Sequence, residues 1–198
     1  MSLLGGVMEL NELLAQPVTF RKKVFKLGGN KVSVFDPQGG LVLFVKQKAF
    51  KLKEDIRVYS DDSLKEERLL IKARKIMDFR AAYDVIDPKT NAKVGALRRK
   101  GWSSIIKDQW EMLNADDQPI GSISEDSTAL ALVRRFLTNL IPQSYGFNVN
   151  GHKVAELKQH FNPFVLKASL TVSPDNGFDP RIALAGAVLL MTIEGRQQ

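Results

Sequence analysis

Asp179 to Gly195 reads DPRIALAGAVLLMTIEG, and this stretch decides the fold. Asp179 suits a helix N-cap, because its carboxylate can accept from the unpaired amides of a first turn. Pro180 suits the first helical position, where a missing N–H costs nothing. Gly195 suits the position just past the end. The spacing therefore predicts a helix over 180–194. From Ile182 to Ile193 every side is apolar or small, with only Thr192 mildly polar. A helix with no polar face has to be buried. It is too short to cross a bilayer, which takes about 20 apolar residues. At about 1.5 Å per residue the apolar part spans roughly 18 Å, close to the length of a typical strand. Ala183, Ala185, Gly186 and Ala187 keep it slim. Nearly everything upstream reads as strand. The simplest arrangement is a helix threaded through a closed sheet.

The upstream chain repeats one unit, an alternating strand, an Asp or Asn turn, and a second alternating strand. Val32 to Asp36 precedes Leu41 to Val45; Tyr83 to Asp87 precedes Val94 to Leu97. Trp110 to Asn114 precedes Ile120 to Ile123, and Phe147 to Asn150 precedes Val154 to Leu157. This is the pattern of serial β-hairpins. Val18–Leu27, Lys46–Lys53, Ile56–Ser60, Glu67–Arg74 and Phe164–Val172 read as further strands, about a dozen in all. That number can close around a helix. One amphipathic helix interrupts them: Ser127 can cap it, Leu130, Val133, Phe136, Leu137 and Leu140 share a face, and Pro142 stops it. It is expected to cover a barrel end or edge. Residues 1–16 form an amphipathic N-terminal segment, with Leu3, Val7, Leu10 and Leu14 at helical spacing, expected to pack on the barrel. Residues 17–198 then make a single domain, with no Pro- or Ser-rich linker to divide it.

Composition bounds the function. The 198 residues contain no cysteine, which excludes disulfides, thiolate catalysis and cysteine-based zinc sites. The net charge of +7 and pI near 9.6 favour an anionic partner. Aromatics make up only 8% and sit mostly at core-like positions, which argues against nucleic acid as that partner. No G-x-S-x-G, P-loop or dinucleotide fingerprint occurs. His152 and His160 are too far apart on their strand for a compact metal site. The reading is a non-catalytic chain without cofactor or metal. No basic region precedes Arg21, so no secretory signal is read, and the expected location is the cytoplasm, with peripheral attachment to a membrane.

The hairpins V-x-V-F-D-P-x-G-G-L-V-L-F-V-K, Y-D-V-I-D-P with V-G-A-L-R-R-K, and W-E-M-L-N-A-D with I-G-S-I resemble the LURP-one-related family. That family is similar in fold to the phospholipid scramblases and the Tubby C-terminal domain. The resemblance covers about residues 17–194. It implies a mainly β, Tubby-like barrel of about twelve antiparallel strands around a C-terminal helix, and a non-enzymatic domain. Tubby-like members bind phosphoinositides and scramblases act at membranes. The scramblases' acidic calcium segment has no match here: the loop Ser173 to Asp179 has two carboxylates and lacks the calcium-loop ligand set.

One basic cluster suits a lipid headgroup. Arg98, Arg99 and Lys100 lie beside Trp102, an aromatic of the interfacial kind, and Arg favours bidentate phosphate contacts. Arg98 and Lys100 would share a strand face. Lys46 with Lys48, and Lys51 with Lys53, also share faces. The expected function is binding of anionic, phosphoinositide-like headgroups at a membrane surface. The alternatives are a protein-interaction or scaffold domain, or a small-molecule-binding barrel, without lipid affinity.

Overall fold

The computed structural model describes residues 8–23, 30–47, 55–74, 81–99, 110–126, 142–162, 164–174 and 177–193. Twelve strands close into one antiparallel barrel: β1 (Val18–Lys23), β2 (Asn30–Phe35), β3 (Leu41–Gln47), β4 (Ile56–Tyr59), β5 (Glu67–Ala73), β6 (Ala82–Asp87), β7 (Ala92–Arg99), β8 (Trp110–Leu113), β9 (Pro119–Glu125), β10 (Ser144–Val149), β11 (His152–His160) and β12 (Val165–Val172). Each strand pairs with its neighbour in sequence, and β1 pairs with β12 to shut the ring. Closure leaves no edge strand open to another chain. A short helix, α1 (Leu10–Leu14), precedes β1, and α2 (Pro180–Ile193) ends the fold.

The repeated hairpin of the sequence is also a repeated irregularity. The register shifts near the ends of β2, β4, β6, β8 and β10, between residues 34 and 35, 58 and 59, 85 and 86, 112 and 113, and 147 and 148. The extra residue lies on the following strand each time, at Val42, Arg68, Val94, Ile120 and Val154, so each bulge stands just after the connection. A bulge bends its strand and raises the local twist, which is what a closing sheet needs. The tightest connection is Asn150-Gly151, both with positive φ, as the mirror-image hairpin turn demands.

The barrel is filled by α2. Asp179 caps it: its Oδ1 accepts from the Arg181 amide at 2.9 Å, as the sequence predicts. Ile182 to Thr192 are all buried. Around them stand the inward residues of the strands, among them Phe20, Val45, Ile71, Met112, Ile123 and Phe147, each essentially without solvent exposure. Gly186 is required rather than tolerated. A Cβ there would lie 2.6 Å from Phe147 Cε1 and 2.7 Å from Ile123 Cδ1. Gly95 plays the same part on β7, where a Cβ would meet Ile182 Cδ1 at 2.8 Å and the Leu113 carbonyl at 2.5 Å. At the other end of α2, the buried Lys22 donates from Nζ to the Met191 carbonyl at 2.9 Å. A cation there satisfies an orphan carbonyl and meets the negative end of the helix dipole.

One expectation meets a difference, and two others reach beyond the described residues. The strand expected over Lys46–Lys53 does not begin at Lys46, because Lys46 and Gln47 continue β3 in register with Lys31 and Asn30. Residues 48–54 lie outside the described residues, as do the whole of the expected helix at 127–141 and Leu3 and Val7 of the N-terminal segment. Within that segment, Leu10 and Leu14 are buried, joined by Leu13, and α1 packs against α2.

Candidate functional site

Side chains of a strand alternate, so each strand sends one residue in two outward. On the outer wall formed by β11, β12, β1, β2 and β3, those outward residues include Lys158, Lys167, Arg21, Lys31 and Lys46. The register sets Arg21 directly opposite Lys167, and Lys31 directly opposite Lys46. Lys167 in turn faces His160 on β11. Like charges facing each other across an antiparallel ladder destabilise the pair. Among the described residues no carboxylate lies within ion-pair distance of these five cations. Arg21 is exposed and stacks its guanidinium on the Phe35 ring at 4.6 Å.

Neutral donors fill the gaps between the cations. Thr19 and Ser169 face each other between β1 and β12, their hydroxyl oxygens 3.5 Å apart. Ser169 also bonds His160 Nε2 at 2.8 Å. Partial burial holds the His160 imidazole below its ordinary pKa, and Lys167 and Lys158 push the same way. Protonation of that ring is resisted by the two lysines near it. The arrangement of hydroxyls, an imidazole and amino and guanidinium groups offers hydrogen-bond donors to an oxyanion from three adjacent strands.

The opposite wall, β5 to β8, uses the same residue types differently. Arg74 bonds Asp84 at 2.5 Å and Asp117 at 2.5 Å, and Lys93 reaches Asp117 at 2.7 Å. Asp117 is held below the usual carboxylate range by Lys93 and Arg74. The expected headgroup cluster begins on this wall. Arg98 is half-buried and forms a 2.5 Å ion pair with Glu111, which faces it in the register. Arg99 is half-buried opposite Trp110 and has interactions of its own. Lys100 and Trp102 lie outside the described residues, as do Lys48, Lys51 and Lys53. The structure therefore brings together five cations of which the sequence reading singled out Lys46 alone. The available signal was the polar alternation Thr19/Arg21 and Lys167/Ser169 between buried Phe20 and Ala168.

At the end where α2 begins, the connections 36–40, 60–66, 88–91 and 114–118 carry formal charges of −1, −2, +1 and −2. That end also holds Arg181, bridged to Asp179 at 2.7 Å and Asp87 at 3.1 Å. Among the described residues no three His, Asp or Glu side chains gather as a metal site, and no helix is long and apolar enough to cross a membrane.

A family model described as LURP-one-related matches residues 41–191, about three quarters of the chain, and the chain belongs to the LURP-one-related family. Among solved structures, the X-ray structure of an Arabidopsis thaliana protein is similar, with a TM-score of 0.52 at 12% identity over 97% of this chain and 99% of that one. At that identity the likeness concerns the fold. No curated protein matches the chain.

Proposed function

We propose that this LURP-one-related barrel is a non-catalytic module that docks on anionic lipid headgroups at the cytoplasmic face of a membrane. One observation carries the reading: two directly opposed cation pairs, Arg21 with Lys167 and Lys31 with Lys46, stand on one wall with no carboxylate within ion-pair distance of them among the described residues, Glu156 on β11 being engaged by Lys153. Such a wall lowers stability in isolation and becomes favourable when phosphates arrive from outside. The cytoplasmic leaflet supplies that negative surface, and each well-placed cation near it contributes about 1 kcal/mol. The filled barrel interior supports a ligand that binds outside rather than in a lumen. Arg98, Arg99, Lys100 and Trp102 act as a second, weaker contact in this reading, because Arg98 must first leave Glu111.

The test is co-sedimentation with phosphatidylcholine vesicles, with and without phosphatidylserine or a phosphoinositide, at two salt concentrations. Arg21→Gln/Lys167→Gln removes two charges and is expected to weaken binding roughly thirtyfold. Raising salt should shrink the difference, since screening sets in beyond about 10 Å at 0.1 M. Arg98→Gln/Lys100→Gln should lose less. Wild-type protein that ignores acidic vesicles at low salt would overturn the proposal.

A further inference from the structure

The connection between β11 and β12, residues 161–164, is short and reads Phe-Asn-Pro-Phe. Phe161 is 60% exposed and Phe164 73% exposed, the two most exposed large apolar side chains among the described residues. Hairpin tips ordinarily carry small and polar residues, so two aromatics three positions apart stand out. Their backbone is held. Asn162 Oδ1 accepts from the Phe164 amide at 2.9 Å and from the Val165 amide at 2.9 Å. The tip therefore presents both rings without needing to order first.

Its position gives the rings a partner. β11 enters the tip through His160, and β12 leaves it towards Lys167, so the aromatics cap the cationic wall at the end where α2 finishes. Exposed aromatics bordered by cations match the layering of an acidic bilayer, where phosphates lie outside and the acyl boundary a few ångströms deeper. We infer that Phe161 and Phe164 insert into the interfacial layer of an anionic membrane while Arg21, Lys158 and Lys167 meet its headgroups. The inference rests on the membrane reading above and adds an orientation to it: the β11–β12 tip goes in, and the acidic end of the barrel, with Asp87 and Asp179, faces away.

The chain has no cysteine, so Phe164→Cys provides a single thiol for an environment-sensitive fluorophore. Thr171→Cys, exposed near the far end of β12, is the control. On vesicles of phosphatidylcholine with about a third phosphatidylserine, the label at 164 should shift to the blue and be quenched by lipids brominated on their acyl chains. The label at 171 should do neither. Phe161→Ser/Phe164→Ser, with an unchanged melting temperature, should bind these vesicles about tenfold more weakly, with a salt dependence like that of wild type. Wild-type binding with an unquenched label at 164 and a double variant of full affinity would overturn insertion and leave the headgroup reading intact. No binding of wild type to acidic vesicles would overturn both.

Discussion

On the wall of β5 to β8, Arg74 and Lys93 share Asp84 and Asp117, and Arg98 holds Glu111; on the wall of β11, β12, β1, β2 and β3, Arg21 faces Lys167 and Lys31 faces Lys46. The strand geometry is the same on both walls, and so are the cations. What differs is whether a carboxylate lies within reach of the cation, as Glu111 does opposite Arg98 and as Asp84 and Asp117 do for Arg74 and Lys93. Partly exposed ion pairs contribute up to about 1 kcal/mol each, and less when the side chains are mobile. Directly opposed like charges cost a few tenths of that scale, up to about 1 kcal/mol. Stacking on Phe35 offsets part of the cost for Arg21 by roughly 0.5–1 kcal/mol. One wall thus stabilises the barrel. The other subtracts from its stability, and in the proposed reading an external anion makes up the loss.

The comparison breaks altogether if the helix that both walls enclose cannot enter. Gly186→Arg places a charged side chain where even a Cβ would meet Phe147 and Ile123. The expected outcome is no folded protein, read as loss of near-UV circular dichroism and of a cooperative melt. A soluble variant melting like wild type would show that α2 is not enclosed.

A smaller change separates the walls. Arg74→Gln/Lys93→Gln leaves Asp84 and Asp117 without their cations and should cost about 1 kcal/mol, a melting temperature lower by about 2–4 °C. The Asp117 carboxyl is depressed in the folded state, so its contribution is complete above the unfolded carboxylate range and disappears as pH falls through the lowered folded value. The difference between wild type and variant should therefore close in acid. Vesicle affinity should change by less than about threefold, because two removed cations on the paired wall were already neutralised. A loss comparable with that of Arg21→Gln/Lys167→Gln would place the membrane on the wrong wall.

The helix and the hairpins were legible in the sequence because both signals are local. Asp179, Pro180 and an apolar run declare a buried helix within a few turns, and Asp or Asn turns between alternating runs declare hairpins. Lys46 went to the wrong strand for a related reason: a lysine ends an apolar run in the sequence, whereas on an outward position it continues β3. The basic cluster at Arg98 was found because its members are consecutive. The cationic wall was not, because closure joins β1 to β12 and sets Arg21 beside Lys167 from the far end of the chain. A sequence states the alternation of each strand and leaves unstated which strand lies beside it. Glu111 opposite Arg98 was hidden likewise, although Glu111 is only thirteen positions away. Phe161 and Phe164 were legible in principle, as aromatics in a turn, but Phe164 was absorbed into the strand read over Phe164–Val172 and Phe161 was passed over.

The finest test converts one wall into the other with a single residue. Lys167→Glu puts a carboxylate between Arg21 on β1 and His160 on β11, in the register that Arg98 and Glu111 already use across β7 and β8. Repulsion with Arg21 is replaced by an ion pair, and the imidazole loses one of the two lysines that lower its pKa. Stability should therefore rise, by about 0.5 kcal/mol, or roughly 1–2 °C in melting temperature. Binding to acidic vesicles should move the opposite way, because the wall loses a cation and gains an anion facing the phosphates. That is two charges at about 1 kcal/mol each, roughly thirtyfold. A thermal melt and a co-sedimentation series on the same preparation read both. Opposite signs tie the instability of this wall to its use. A variant that is less stable and binds equally well would show that Lys167 is there for packing along its aliphatic stem, and that the opposed cations of this wall are an ordinary solvated surface.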